Sequence, residues 1–256
     1  MIQQPVYYPF AESIIVNERQ LVVNQLAYEN GRYRINWNDF EAKITRNKVR
    51  LFLLCSPHNP VGRVWTRDEL ARMGDILLKN NVLVISDEIH ADFVYPGNEH
   101  QVFAAIRPEL LENTLTCTAP TKTFNLAGLQ VSNILIANPD IRRRFRQEIS
   151  RTGYSQLNIM GIVAGRAAYQ HGDSWLIELR QYLWANLALL REFLKVRLPG
   201  VRLIEPEGTY LAWLDFSRLG LTDRELDRRI VRNCNLWLDA GPMFGAGGEE
   251  IGRAHV

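Results

Sequence analysis

The sequence predicts an α/β fold with a mostly parallel sheet in a large domain and a smaller α+β domain at the C-terminal side. Three observations carry that prediction. Short apolar runs recur at residues 51–55, 82–87, 115–119 and 131–137, each as long as a strand and bounded by polar or turn-forming residues. A helical pattern with its own start signal separates the first two runs. Beyond Ile159 the pattern changes to long helical periodicities followed by short strands. Strands joined by helical crossovers form a parallel sheet with helices on both faces. At 256 residues the chain is long enough for one large domain or two smaller ones.

The first run, Leu51 to Cys55, ends in Ser56-Pro57-His58-Asn59-Pro60, a strong turn signal at the carboxyl end of a strand buried on both faces. Thr66 followed by Glu69 is a capping box, so a helix starts there and continues through Leu70, Met73, Ile76 and Leu77. The second run ends in an acid, Asp87, and the third in Ala119. Helices are expected from Ile159 to Tyr169 and from Trp175 to Leu198. Strands follow at residues 201–204 and 210–214, and a last helix is capped by Thr222 and Glu225. The resulting division is residues 1–170 for the large domain, 171–249 for the small one, and a tail at 250–256. Both ends look cut. The tail follows a glycine-rich turn, is expected to complete no element, and is read as non-native.

Composition narrows the function classes. A formal net charge of +2 offers no broad attraction to nucleic acid or anionic membrane. Arg142, Arg143, Arg144 and Arg146 read as one solvated helix face. Cys55, Cys117 and Cys234 lack any CxxC spacing and no metal site is expected. Cys55 and Cys117 sit in apolar runs as small core residues of a reducing compartment. With neither a signal segment nor a membrane-length apolar run, a cytoplasmic location is expected.

The chemistry gathers at strand ends. Lys122 lies in Thr121-Lys122-Thr123-Phe124-Asn125, just past the third run, where burial of its amine is expected. A desolvated amine loses its proton more easily and can form a Schiff base. Asn59, Asp87 and Lys122 all fall at carboxyl ends of predicted parallel strands, the edge where open α/β sheets bind ligands. A lysine to hold an aldehyde, an acid to protonate a ring nitrogen and an amide for a ring hydroxyl suit pyridoxal 5'-phosphate.

Three segments carry a family resemblance: Ser56-Pro57-His58-Asn59-Pro60-Val61-Gly62, Asp87-Glu88-Ile89-His90-Ala91-Asp92, and residues 119–128 around Lys122. They resemble fold-type I pyridoxal-phosphate enzymes of the class I/II aminotransferase superfamily, and more narrowly the MalY/PatB group of cystathionine β-lyases. Residues 5–10, 208–213 and 241–245 are similar to that group as well.

The resemblance implies that Lys122 is the Schiff-base lysine and the base for the substrate α-proton. Asp87 would pair with the ring nitrogen and Asn59 with the ring hydroxyl. Tyr7 would stack on the ring and act in catalysis, Tyr8 would line the pocket, and Thr121 would give its hydroxyl to the phosphate. His90 stands where many aminotransferases carry tyrosine, and is read as a pocket residue. Those aminotransferases commonly carry serine three residues before the lysine and arginine eight after it. Here the positions hold Ala119 and Gln130, a departure that favours the lyases. Arg253 is left out of the site because it falls in the tail.

The implied reaction is cleavage of cystathionine or related cysteine S-conjugates to a thiol, pyruvate and ammonia, by a homodimer in its full-length form. The chain as given, lacking parts of the implied site, is expected to turn over weakly or not at all. An aminotransferase using the same residues is the nearest rival, and a regulatory binding protein of the same fold is a second alternative.

Overall fold

The computed structural model describes residues 1–154, 156–249 and 251–255, with side chains excluded for residues 253–255. Its first part runs β1 (Ile2–Gln4), α1 (Pro9–Val16), β2 (Val23–Gln25), the hairpin β3 (Ala27–Glu29) and β4 (Arg32–Arg34), and α2 (Trp37–Arg46). The central part runs β5 (Leu51–Cys55), α3 (Arg67–Lys79), β6 (Leu83–Asp87), α4 (Pro108–Glu112), β7 (Thr114–Thr118), α5 (Pro120–Thr123) and β8 (Asn133–Ile136). Then come α6 (Pro139–Arg151), α7 (Ile159–His171) and α8 (Asp173–Arg197), followed by β9 (Arg202–Ile204), β10 (Leu211–Asp215), α9 (Asp223–Arg228), β11 (Asp239–Ala240) and β12 (Ile251–His255).

The main sheet has the order β5-β6-β7-β8. The first three strands are parallel, as their apolar runs predict, and the third crossover is where the sequence reading needs correcting. β8 runs antiparallel to β7. Between them lies only the single turn of α5 and one turn of 3-10 helix, too little to form the packed crossover helix that usually returns a chain parallel. The capping box forms as expected at α3: Thr66 Oγ1 accepts from the Glu69 amide at 3.2 Å, and Glu69 Oε2 accepts from the Thr66 amide at 2.9 Å. The buried face of α3, with Leu70, Met73, Ile76 and Leu77, covers the sheet.

The C-terminal sheet has the order β11-β12-β10-β9 and is antiparallel at every pairing. Leu187 and Leu194 of α8 pack on Val201, Leu203, Ala212 and Leu214 to give it a core of its own. The other face belongs elsewhere: Ile204, Trp213, Phe244 and Ile251 share the large core with Met1, Tyr33, Phe52 and Trp65. Tyr33 fixes this junction, its hydroxyl donating to the Gly247 carbonyl at 2.8 Å and accepting from Trp213 Nε1 at 3.2 Å.

A second correction concerns the tail. Residues 251–255 were expected to complete no element, yet they form β12, paired with β10 on one side and β11 on the other. The strand has no alternating apolar signature, and its pairing depends on partners far away in sequence. Glu250, Val256 and the side chain of Arg253 lie outside the described residues. Among the described residues no helix is long and apolar enough to cross a membrane.

Candidate active site

Parallel register builds the site. Cys55 pairs with Asp87 across β5 and β6, and Asp87 with Cys117 across β6 and β7. The ladder extends one step past the strand ends, with Ser56 donating to the Asp87 carbonyl and Glu88 to that of Cys117, both at 2.9 Å. The loops after all three strands therefore leave the sheet side by side. They carry Asn59, Asp87 with His90, and Thr121 with Lys122.

Asp87 stands at the end of a cavity of about 230 Å³ lined by Phe10, Leu53, Ile85, Ile89, Cys117 and Ala119 among others. Desolvation in this apolar setting pushes its carboxyl up to about 6, and the charge of Glu88 adds to the rise. The Ile89 amide, donating at 3.1 Å, and the Lys122 ammonium pull the other way. Their pull is the smaller. The Lys122 charge thus reaches Asp87, but the lysine itself is exposed. That overturns the expectation of a buried amine: α5 turns Thr121 and Thr123 inward and Lys122 outward, so these residues do not desolvate it.

Asn59 is 7% exposed. Its amide hydrogen points to Cys55 Sγ at 3.4 Å, and its carbonyl accepts from the Tyr7 amide at 3.0 Å. This bond places the N-terminal aromatic segment beside the Asn59 loop. Buried His58 reinforces the contact through Nε2 and the Pro5 carbonyl at 2.9 Å, and burial lowers its pKa to about 4, leaving it neutral. Tyr7 is exposed at the edge, with its ring 5.7 Å from Tyr8 and 6.0 Å from Phe10. Tyr8 leans the other way, half-buried against Phe244. His90 is buried with its ring 5.4 Å from Tyr210, and Thr121 is buried beside Lys122.

Sequence reasoning gave no role to the segment that clamps the two loops together. Glu207 and Gly208 donate to the Gly62 carbonyl, and Thr209 donates to the Phe93 carbonyl at 2.7 Å. A Cβ on Gly208 would lie 2.7 Å from that Phe93 oxygen and 2.8 Å from Val64, so only glycine fits between the loops. Thr209, although β-branched, sits at a φ of 69°, and the next residue, Tyr210, is thereby set against His90 and Phe93. The signal was a Gly-Thr-Tyr run, whose meaning depends on what it threads between. Arg63 tightens the clamp: it is 3% exposed and donates through Nε to Glu207 at 2.9 Å. Its Nη2 donates to Glu69.

Residues 1–256 match the family Aminotransferase class I and II. The chain belongs to that family. It is 41% identical over 256 residues to the cystathionine beta-lyase PatB of Bacillus subtilis, covering 100% of this chain and 66% of that protein. A solved structure described as a PLP-bound putative aminotransferase from Clostridium difficile superposes with a TM-score of 0.97 at 43% identity, covering 100% of this chain and 66% of that one. Cystalysin from Treponema denticola, solved with pyridoxal 5'-phosphate, superposes at 0.95 with 37% identity, covering 99% and 64%. The chain thus spans slightly less than two-thirds of the length of these relatives. Its α/β architecture is that of the pyridoxal-phosphate enzymes it superposes on.

Proposed function

We propose that the protein binds pyridoxal 5'-phosphate and acts as a C–S β-lyase of the MalY/PatB group. The observation that carries this reading is the convergence of Asn59, Asp87 and Lys122 through the register of β5, β6 and β7. Identity to a cystathionine beta-lyase along the whole chain supports it.

The residues fit the cofactor on a feature of their own. Asp87 is a carboxylate in an apolar cavity, held above its ordinary range because its nearby donors do not offset its desolvation. A protonated ring nitrogen is the partner such an acid lacks. Lys122, exposed at the same edge, would hold the cofactor's aldehyde carbon through its amine, with one water released. Asn59, Tyr7, Tyr8, His90 and Thr121 complete the proposed contacts: amide to ring hydroxyl, Tyr7 against the ring face, and the Thr121 hydroxyl toward the phosphate. When bound, the cofactor supplies an electron sink for the carbanion left at the substrate α-carbon.

The chain's residues then divide the work. The Lys122 amine, freed as substrate takes its place, removes the α-proton and holds it. Asp87 keeps the ring nitrogen protonated through the step. The C–S bond at the β-carbon breaks with its electron pair leaving on sulfur, and the thiolate picks up a proton. One water is consumed in forming pyruvate and ammonia from the remaining three carbons. Cystathionine and related cysteine S-conjugates are the proposed substrates; a homodimeric full-length protein in the cytoplasm belongs to the same proposal.

A second reading has its own support, because a structure 43% identical is described as a putative aminotransferase. Incubation with cystathionine and pyridoxal phosphate separates the two. The lyase releases thiol and pyruvate with no keto acid present. Amino transfer that depends on an added keto acid, without thiol release, would overturn the lyase reading.

A further inference from the structure

We infer that Thr123 and Asp92 act together as a positioning pair for Lys122; the inference rests on the lysine role proposed above. The starting point is the weakness of α5. It is a helix of four residues, and its N-cap, Ala119, makes no side-chain capping bond. A single turn of helix is not stable by itself, so neighbouring structure must decide how α5 is oriented. Lys122, being exposed, does not fix its own direction by packing.

Thr123, the next residue, is 0% exposed, and its hydroxyl donates to Asp92 Oδ2 at 2.6 Å. That length is typical of a hydroxyl bound to a charged carboxylate, the stronger class of hydrogen bond. Successive residues on a helix project about 100° apart, so pinning Thr123 inward sets the outward direction of Lys122. The other end of the bond matters equally. Asp92 lies five residues after Asp87, in the same loop, with Phe93 and Ala91 tied by their amides to the carbonyls of His90 and Glu88. The pair therefore links the amine to the loop that begins with the ring-nitrogen acid.

A second anchor follows directly after Thr123. Phe124 packs on Tyr169 at 6.2 Å and on Trp175 at 5.8 Å, holding the helix down on the α7–α8 corner.

The test compares Thr123→Val, which keeps the shape and loses the hydroxyl, with Thr123→Ser, which keeps it, and with Asp92→Asn. Each is mixed with pyridoxal phosphate, and the rate of appearance of lysine-bound visible absorbance is followed, alongside the thermal midpoint of the ligand-free protein. Thr123→Val is expected to slow adduct formation about 10- to 100-fold, with Asp92→Asn between it and wild type and Thr123→Ser within about twofold of wild type. Their thermal midpoints are expected to stay within a few degrees of wild type. Wild-type rates in Thr123→Val would overturn the inference. So would slowing in Thr123→Ser as large as in Thr123→Val, or a slowing that only follows lost thermal stability, since both mark packing alone. Failure of the cofactor reading is separate: wild type itself would then form no lysine-bound absorbance.

Discussion

Asp87 and Glu88 are adjacent acids at the end of β6, and the protein treats them in opposite ways. Glu88 is 2% exposed, and its two oxygens accept from the Ser86 hydroxyl at 2.8 Å, His100 Nε2 at 2.8 Å and the Phe103 amide at 3.1 Å. Asp87 faces the cavity, and the Ile89 amide is its hydrogen-bond donor among the described residues. A carboxylate with three donors has had its desolvation offset by the fold itself. One left with a raised pKa carries a cost that folding alone does not repay, and such groups concentrate at functional sites. Glu88 ties the loop of residues 95–103 to the sheet, while Asp87 stays open to a ligand.

Substitution at the two positions should break that contrast, with the larger effect at Glu88. Glu88→Ala strands three donors, two of them buried, and is expected to destabilise the protein by about 3 kcal/mol or more, read by denaturant unfolding. Destabilisation below about 1 kcal/mol would mean that those bonds are replaced by water.

Asp87→Asn should act with the opposite sign in the ligand-free protein. Because the folded-state pKa is raised to about 6, above the ordinary aspartate value, the folded chain binds the extra proton between about pH 4 and 6. Stability therefore falls as pH rises through that window and the penalty is complete above about pH 7. Asparagine removes it: the variant is expected to gain about 1–3 kcal/mol at pH 8 and to lose this component of the pH dependence. It should also bind pyridoxal phosphate more weakly. An Asp87→Asn protein less stable than wild type at pH 8 would show that Asp87 is a structural acid like its neighbour.

How much of this was legible in the sequence depends on the range of the interactions. The strand runs, both capping boxes and the long helices α7 and α8 follow from local pattern, and each forms close to where the pattern places it. That the segments following β5, β6 and β7 leave the sheet at one edge was legible, because parallel strands bring their carboxyl ends together. Alternation along β6 also says that residues 87 and 88 face opposite ways. It does not say which acid is satisfied, because the donors of Glu88 come from residues 100 and 103, in a loop that must fold back. The exposure of Lys122 was misread for a similar reason. Apolar neighbours in sequence do not cover a side chain that a one-turn helix directs outward. Strand β12 is the extreme case, since its partners begin with residues 211–215, some forty positions upstream.

The measurement that bears most directly on the central claim is the visible spectrum after adding pyridoxal phosphate, taken on wild type and on Lys122→Ala. The account predicts lysine-bound absorbance in wild type that survives removal of free cofactor, and its loss in Lys122→Ala with folding unchanged by far-UV circular dichroism. Equal absorbance in the two proteins would contradict the account, placing the cofactor on another amine.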